Sequence, residues 1–316
     1  MDYNKKDSYI SRRKFLKCSA VAAAYGLMKI TEPVFSVTEE ISDYPSWGFP
    51  RIATFEEITG VNNPGTEMFQ YFNNPMIYVL DFGGVNGLRQ QAMTINRLDV
   101  LTSRKGAPKY RVLNDDELID FIKRQNANRD IFALGFCSSP DDWLKLYNLA
   151  EAQGMHLNRD ETDMKAVLLK IGFIEISNET GLYKPVEPKK ALITFTEEQK
   201  DNPETPQNEE ITPYNRKVVL SHEISHGEYS TNQMYHEYCR NFWFRVLNRN
   251  ERTAFRDFFK NNGIYDTESL IIDEMQANLV HTPFGIMLNQ DIEIPKAKLE
   301  KLKEIFLEKC PISCYL

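Results

Sequence analysis

The nine residues Ser221-His222-Glu223-Ile224-Ser225-His226-Gly227-Glu228-Tyr229 constrain this chain more than any other stretch. Residues four apart on a helix stand one above the other, so a helix here aims two imidazole nitrogens, from His222 and His226, at one point. Two such nitrogens suit a divalent metal ion. Glu223, beside the first histidine, is placed to take a proton from a water that the ion activates. Only five histidines occur in 316 residues, so an accidental match is rare. Val218, Val219, Leu220 and Ile224 surround the pair with apolar side chains, which predicts a helix with a strongly apolar side. Glu228 points off the His222/His226 face and is expected to be solvated or to stand behind the site.

The beginning of the chain reads as an address. Ser11-Arg12-Arg13-Lys14-Phe15-Leu16-Lys17 matches the twin-arginine export pattern, S/T-R-R-x-F-L-K, at every position. The eleven residues Cys18–Met28 that follow are weakly apolar and too few to span a bilayer, which argues against a permanent membrane anchor. Val34-Phe35-Ser36 predicts cleavage after Ser36, and Cys18 lacks the small residues of a lipoprotein box before it. The expected partner during export is the twin-arginine translocase, and the expected destination is the periplasm or the exterior. Residues 1–36 carry seven Lys/Arg and three Asp/Glu, a surplus of four, which leaves −11 on the remainder of a chain whose net charge is −7. So acidic a remainder excludes nucleic acid as a partner.

After export, Cys137, Cys239, Cys310 and Cys314 remain, an even number in an oxidising compartment. Cys310-Pro-Ile-Ser-Cys314 could close a small ring; buried free thiols are the other reading. No second close pair accompanies it, so a cysteine-based zinc site is not expected.

Residues 37–75, rich in Pro, Gly and Asn, read as an irregular arm. Met76–Phe82 is a compact apolar run and predicts a buried strand, followed by the turn Gly83–Gly87 and a helix over about 87–104. That turn lacks the first glycine of G-x-G-x-x-G, so a plain tight turn is expected rather than a nucleotide loop. Cap signals at Asn114 and Ser138-Ser139-Pro140 predict helices to about 125 and over 141–153, with another over 160–171 and strands at 131–136 and 191–196. A polar, proline-broken stretch, Glu197–Pro213, divides a mixed α/β portion (37–200) from a helical portion (201–316), an α+β chain. Helices are expected over 234–247 and 250–262, and from about 268 to Thr282-Pro283.

The motif helix resembles the zincin metallopeptidases, in which uncharged residues flank the two histidines. The metzincin extension requires Gly and His three and six residues after the second histidine; Tyr229 and Asn232 stand there instead. What remains is a resemblance to the gluzincins, which complete the site with a Glu on a later helix, and Asp273-Glu274-Met275-Gln276-Ala277-Asn278 is similar to their Asn-Glu-x-x-x-Asp segment. The resemblance covers about 65 residues. It implies Zn²⁺ held by His222, His226 and Glu274, with Glu268, Asp273 or His281 as alternatives to Glu274. It also implies Glu223 as general base, and Asn278 accepting from the outer N–H of a ligand histidine. His281 and Tyr229 are candidates for steadying an oxyanion; His281 as a C-terminal cap and Tyr229 as a core residue are the plainer readings. His156 and His236 have no partner at ligand spacing. The expected activity is hydrolysis of a peptide or protein substrate. Hydrolysis of cell-wall amide or ester bonds, or non-enzymatic binding around a structural or vestigial zinc, are the alternatives.

Overall fold

The computed structural model describes residues 45–315, except 46, 48, 63–64, 85, 105, 127–133, 199, 201–209, 262–266 and 284–291. The export signal, its cleavage point and Cys18 therefore lie outside the described residues, as do the first half of the 131–136 strand expectation and the middle of the Glu197–Pro213 stretch.

Strands β1 (Arg51–Ala53), β2 (Glu67–Tyr71), β3 (Ile77–Phe82), β4 (Gly135–Ser138) and β7 (Ala191–Thr196) form one sheet in the order β1-β2-β3-β7-β4. β1 is parallel to β2 and β3 to β7, while β2–β3 and β7–β4 are antiparallel. A small hairpin-like pair, β5 (Ile174–Ile176) and β6 (Tyr183–Pro185), stands apart. The 37–75 arm is thus more regular than its composition suggests. It contributes β1, β2 and a short helix, α1 (Phe55–Thr59), started by a Thr54/Glu57 capping box. Pro and Asn there punctuate the strands rather than exclude them.

Alternation along the strands sorts the core into two layers. Tyr78, Leu80, Phe82, Phe136 and Leu192 face one way, against α2 (Gly87–Thr102), α4 (Pro140–Ala152) and α5 (Arg159–Lys170). Ile77, Val79, Cys137, Ala191, Ile193 and Phe195 face the other, against α6 (Pro213–Thr231), α7 (Gln233–Asn241) and α9 (Glu268–Val280). α3 (Asp115–Asn126) packs in a small satellite cluster with the end of α2. Helices α8 (Arg249–Asn261) and α10 (Lys296–Leu307) complete the second layer. The content is mixed, 55% helix and 13% strand around a small mixed sheet, as an α+β chain requires. Among the described residues no helix is long and apolar enough to cross a membrane.

One predicted helix is broken. The 234–247 segment is α7 followed by a π turn at Phe242–Val246. The wider turn lets the consecutive residues Phe242 and Trp243 both be buried, and Arg252 Nη1 donates to the Trp243 carbonyl at 3.3 Å.

Candidate metal centre

Helix α6 starts where Pro213 can no longer donate and Thr212 Oγ1 accepts from the Asn215 N–H at 3.1 Å. Just inside its first turn, Arg216 fastens it to the sheet. Its guanidinium donates to Asp81 on β3 (Nη1 to Oδ1, 2.8 Å) and to the Ile58 carbonyl (2.6 Å), and lies 4.3 Å from the Phe195 ring centroid. Further along, Gly227 lets the helix approach β3, since a Cβ there would stand 2.9 Å from Ile77 Cδ1. Gly135 on β4 does the same beside Glu223, where a Cβ would meet Glu223 Cγ at 2.7 Å. From Val218 to Tyr229 every residue of α6 is buried.

α9 packs against α6 and brings Glu274 to the two histidines. The ligand atoms of His222, His226 and Glu274 all lie within 4.8 Å of one another, and the two Nε2 atoms are 3.1 Å apart. The outer nitrogens are both occupied. Thr282 Oγ1 donates to the Ala277 carbonyl at 2.9 Å, so its oxygen accepts from His222 Nδ1 at 2.9 Å. Asp273 Oδ1 accepts from His226 Nδ1 at 2.7 Å. With both Nδ1 groups engaged outward, the two Nε2 atoms face each other within hydrogen-bond distance and present two ring nitrogens to one point, where a shared proton or a metal ion would join them.

The carboxylates point to the same need. Glu274 Oε2 accepts from Asn278 Nδ2 at 3.1 Å, but its Oε1 has no hydrogen-bond partner, and neither oxygen of Glu223 has one. Buried polar atoms are seldom left so, because each costs about 1–3 kcal/mol. Burial pushes the Glu223 carboxyl up to about 8, only partly offset by the His226 ring. Burial likewise holds Glu274 well above the ordinary carboxylate range. Burial alone would depress the His226 imidazole, but Asp273, then Glu274 and Glu223, outweigh it and push it up to about 10. His222, buried beside His226 and His281, is held well below the usual histidine value. Two converging imidazole nitrogens and the Glu274 Oε1 atom are a donor set that fits a divalent cation such as Zn²⁺.

Other candidates are placed elsewhere. Asn278 does not reach a histidine; it donates to Glu274, and Thr282 and Asp273 do what was expected of it. Asp273 therefore stands behind His226. Glu268 is engaged by Arg256 (2.7 Å) and Trp243 (2.6 Å). His281 Nε2 faces the Tyr235 hydroxyl at 3.0 Å, and Tyr229 OH donates to the Ser269 carbonyl at 3.3 Å, its ring against His236. Glu228 is not solvated: it is buried and accepts from Asn74 (3.1 Å) and Asn232 (3.0 Å). His156 is exposed. The four cysteines among the described residues are free thiols, with Cys137 and Cys239 buried.

Two site residues carried little signal in the sequence. Gln276 donates to both Asp273 Oδ1 (3.1 Å) and Ser225 Oγ (3.2 Å), and Thr282 lies just past the end of α9. Helical spacing places Gln276 three residues after Asp273, which could have suggested the first contact. Thr282 depends on how the chain leaves the helix. No protein-family model matches this chain, and neither do curated proteins or solved structures.

Proposed function

We propose that the chain is an exported zinc-dependent hydrolase of peptide bonds, of the gluzincin kind and with a zincin-like helical portion. The observation that carries this reading is the pairing of a three-residue cation site with an unpaired, buried Glu223 carboxylate beside it. His222, His226 and Glu274 would hold the ion, with Thr282 and Asp273 fixing the two rings. Zinc, when bound, supplies a Lewis acid that lowers the pKa of water and polarises a carbonyl. Glu223 would take the proton of an attacking water and pass it to the leaving amine. Burial raises the Glu223 carboxyl above the ordinary carboxylate range in the metal-free protein, which suits a group that both takes up and releases a proton.

What supports a peptide as substrate is the strand beside Glu223. Among the described residues β4 pairs only with β7, as the last strand of the sheet. A sheet edge is where an extended peptide would add as a further strand, and the Cys137 backbone N–H on this strand is directed to Glu223. Gly135 brings that edge against the Glu223 side chain.

The test compares wild type with Glu223→Gln on unfolded protein, on peptides and on cell-wall material, with zinc measured in both. Wild type is expected to hold one zinc and cleave peptide bonds, and the variant to keep its zinc while losing about 10²–10⁴-fold in rate. Equal rates in the two proteins would overturn the role of Glu223. Less than about half an equivalent of zinc after gentle purification would overturn the metal.

A further inference from the structure

The C-terminal residues fold back onto the body of the protein. The Tyr315 ring stacks on Phe55 with centroids 4.1 Å apart, and Asn73 Nδ2 donates to the Tyr315 hydroxyl at 2.8 Å. This holds Cys310 and Cys314, both half-buried, against the core that also contains α6 and α9. The two thiols shift each other's ionisation, lowering that of Cys310 and raising that of Cys314. Cys314 Sγ lies 3.9 Å from His281 Nε2.

From His281 an unbroken line of hydrogen bonds runs to the metal cluster. The Tyr235 hydroxyl donates to Gln276 Oε1 at 2.5 Å, which leaves its oxygen to accept from His281 Nε2 at 3.0 Å. Gln276 Nε2 donates to Asp273 Oδ1 at 3.1 Å, the same oxygen that accepts from His226 Nδ1 at 2.7 Å. Tyr235, Gln276 and His281 are all buried, so water does not compete along the line.

We propose that Cys310 and Cys314 form a dithiol–disulfide modification site whose state reaches His226 through His281, Tyr235, Gln276 and Asp273. The co-reactant is a small-molecule disulfide such as oxidised glutathione. The Cys310 thiol, held below its ordinary range by Cys314, attacks one sulfur of that disulfide as the thiolate. The first glutathione leaves and takes up a proton, and Cys314 then displaces the second from the mixed disulfide. One disulfide is reduced and one formed. The chain bends at Pro311 and Ile312 between the two cysteines, four residues apart and packed on the same core, which suits closure of a small ring.

Oxidation draws Cys314 Sγ toward Cys310 and leaves the His281 N–H wholly to Tyr235. Each later bond in the line then strengthens, and Gln276 takes a larger share of Asp273. Less of that carboxylate remains for His226, whose ring becomes a poorer donor to a metal ion. The disulfide form is expected to bind zinc about threefold more weakly than the dithiol form. Tyr235 and Gln276 act as positioning residues.

The zinc readout rests on the metal-site reading above, so the experiment has an arm that does not. The full chain is equilibrated in glutathione buffers of rising potential, and the peptide holding Cys310 and Cys314 is weighed after alkylation. The expected product is a species about 2 Da lighter than the dithiol and closed to alkylation. Two alkylated cysteines after treatment with oxidised glutathione would overturn the proposal. Zinc affinity is then measured by chelator competition in both states. Cys314→Ser should lose the redox dependence, and Tyr235→Phe should form the disulfide yet show equal affinities. Equal affinities in wild type would overturn the coupling. If zinc binds in neither state, the metal reading fails alone, and the coupling is read from the His226 ring resonances of the metal-free protein. Resonances unmoved by oxidation would overturn it; a shift that Tyr235→Phe removes would support it.

Discussion

On the face of the sheet covered by α2, α4 and α5, buried charges are closed. Arg97, almost wholly buried, donates to Glu161 Oε1 at 2.8 Å and to the exposed Asp115 at 2.5 Å, and Arg104 pairs with buried Asp99. Asp142 accepts from both the N–H and the hydroxyl of Ser139. On the face covered by α6, α7 and α9 the accounting differs. Asp81 and Arg216 close there too, but Glu223, Glu274, Asn278 and Ser221 leave buried side-chain atoms without hydrogen-bond partners. Among the described residues every such atom lies on α6 or α9. The two faces have similar apolar cores, so the difference is not one of packing. Charges satisfied elsewhere and left open around two histidines are what the proposed cation site calls for.

The comparison can be broken at its satisfied end first. Arg97→Met strands the Glu161 carboxylate in the core and should cost about 3–5 kcal/mol in urea unfolding. A loss within about 0.5 kcal/mol would mean that the closed pair contributes little. At the open end, zinc at 1,000 times its dissociation constant should stabilise wild type by about 4 kcal/mol. Glu274→Gln should abolish most of that gain, yet in metal-free protein it should unfold within about 1 kcal/mol of wild type. A large loss of stability in metal-free Glu274→Gln would show Glu274 to be structural, and the contrast would collapse.

A smaller effect sharpens the contrast through pH. Burial, with Lys303 and His226 nearby, pushes the His281 imidazole down to about 3. The unfolded chain takes up a proton near 6.5 that the folded state refuses. Stability from this group is therefore complete above pH 6.5 and is lost as the pH falls toward 3, by about 1.4 kcal/mol per unit. His281→Gln should flatten that acid limb in thermal melts between pH 6 and 4. An unchanged slope would mean that His281 is not the neutral buried group described.

Much of the fold was legible because its signals are local. The strands at 77–82 and 191–196 and the helices near 87–102, 140–152 and 159–170 follow from apolar runs and caps within one or two turns of chain. The 37–75 arm was misread because Pro and Asn mark ends of short elements as well as irregular chain. Asn278 was assigned the wrong partner for a different reason. A helical position says which side chains are neighbours on that helix, and Asn278 did meet Glu274 four residues earlier. It does not say how the helix rotates against α6, which is what gives Asp273 rather than Asn278 to His226.

By itself the sequence determined that His222, Glu223 and His226 share one helix, since a spacing of four residues on a regular helix leaves no other arrangement. It also made Glu274 the leading third ligand, with Glu268, Asp273 and His281 still open. Only the tertiary structure decided that Glu274 meets the histidines while Glu268 turns to Arg256 and His281 to Tyr235. It alone paired the outer nitrogens with Thr282 and Asp273 and carried the C-terminal thiols to the far end of the same network. Those contacts join residues 33 to 60 positions apart. Packing of one helix against another sets them, and no periodicity within a single segment encodes that rotation.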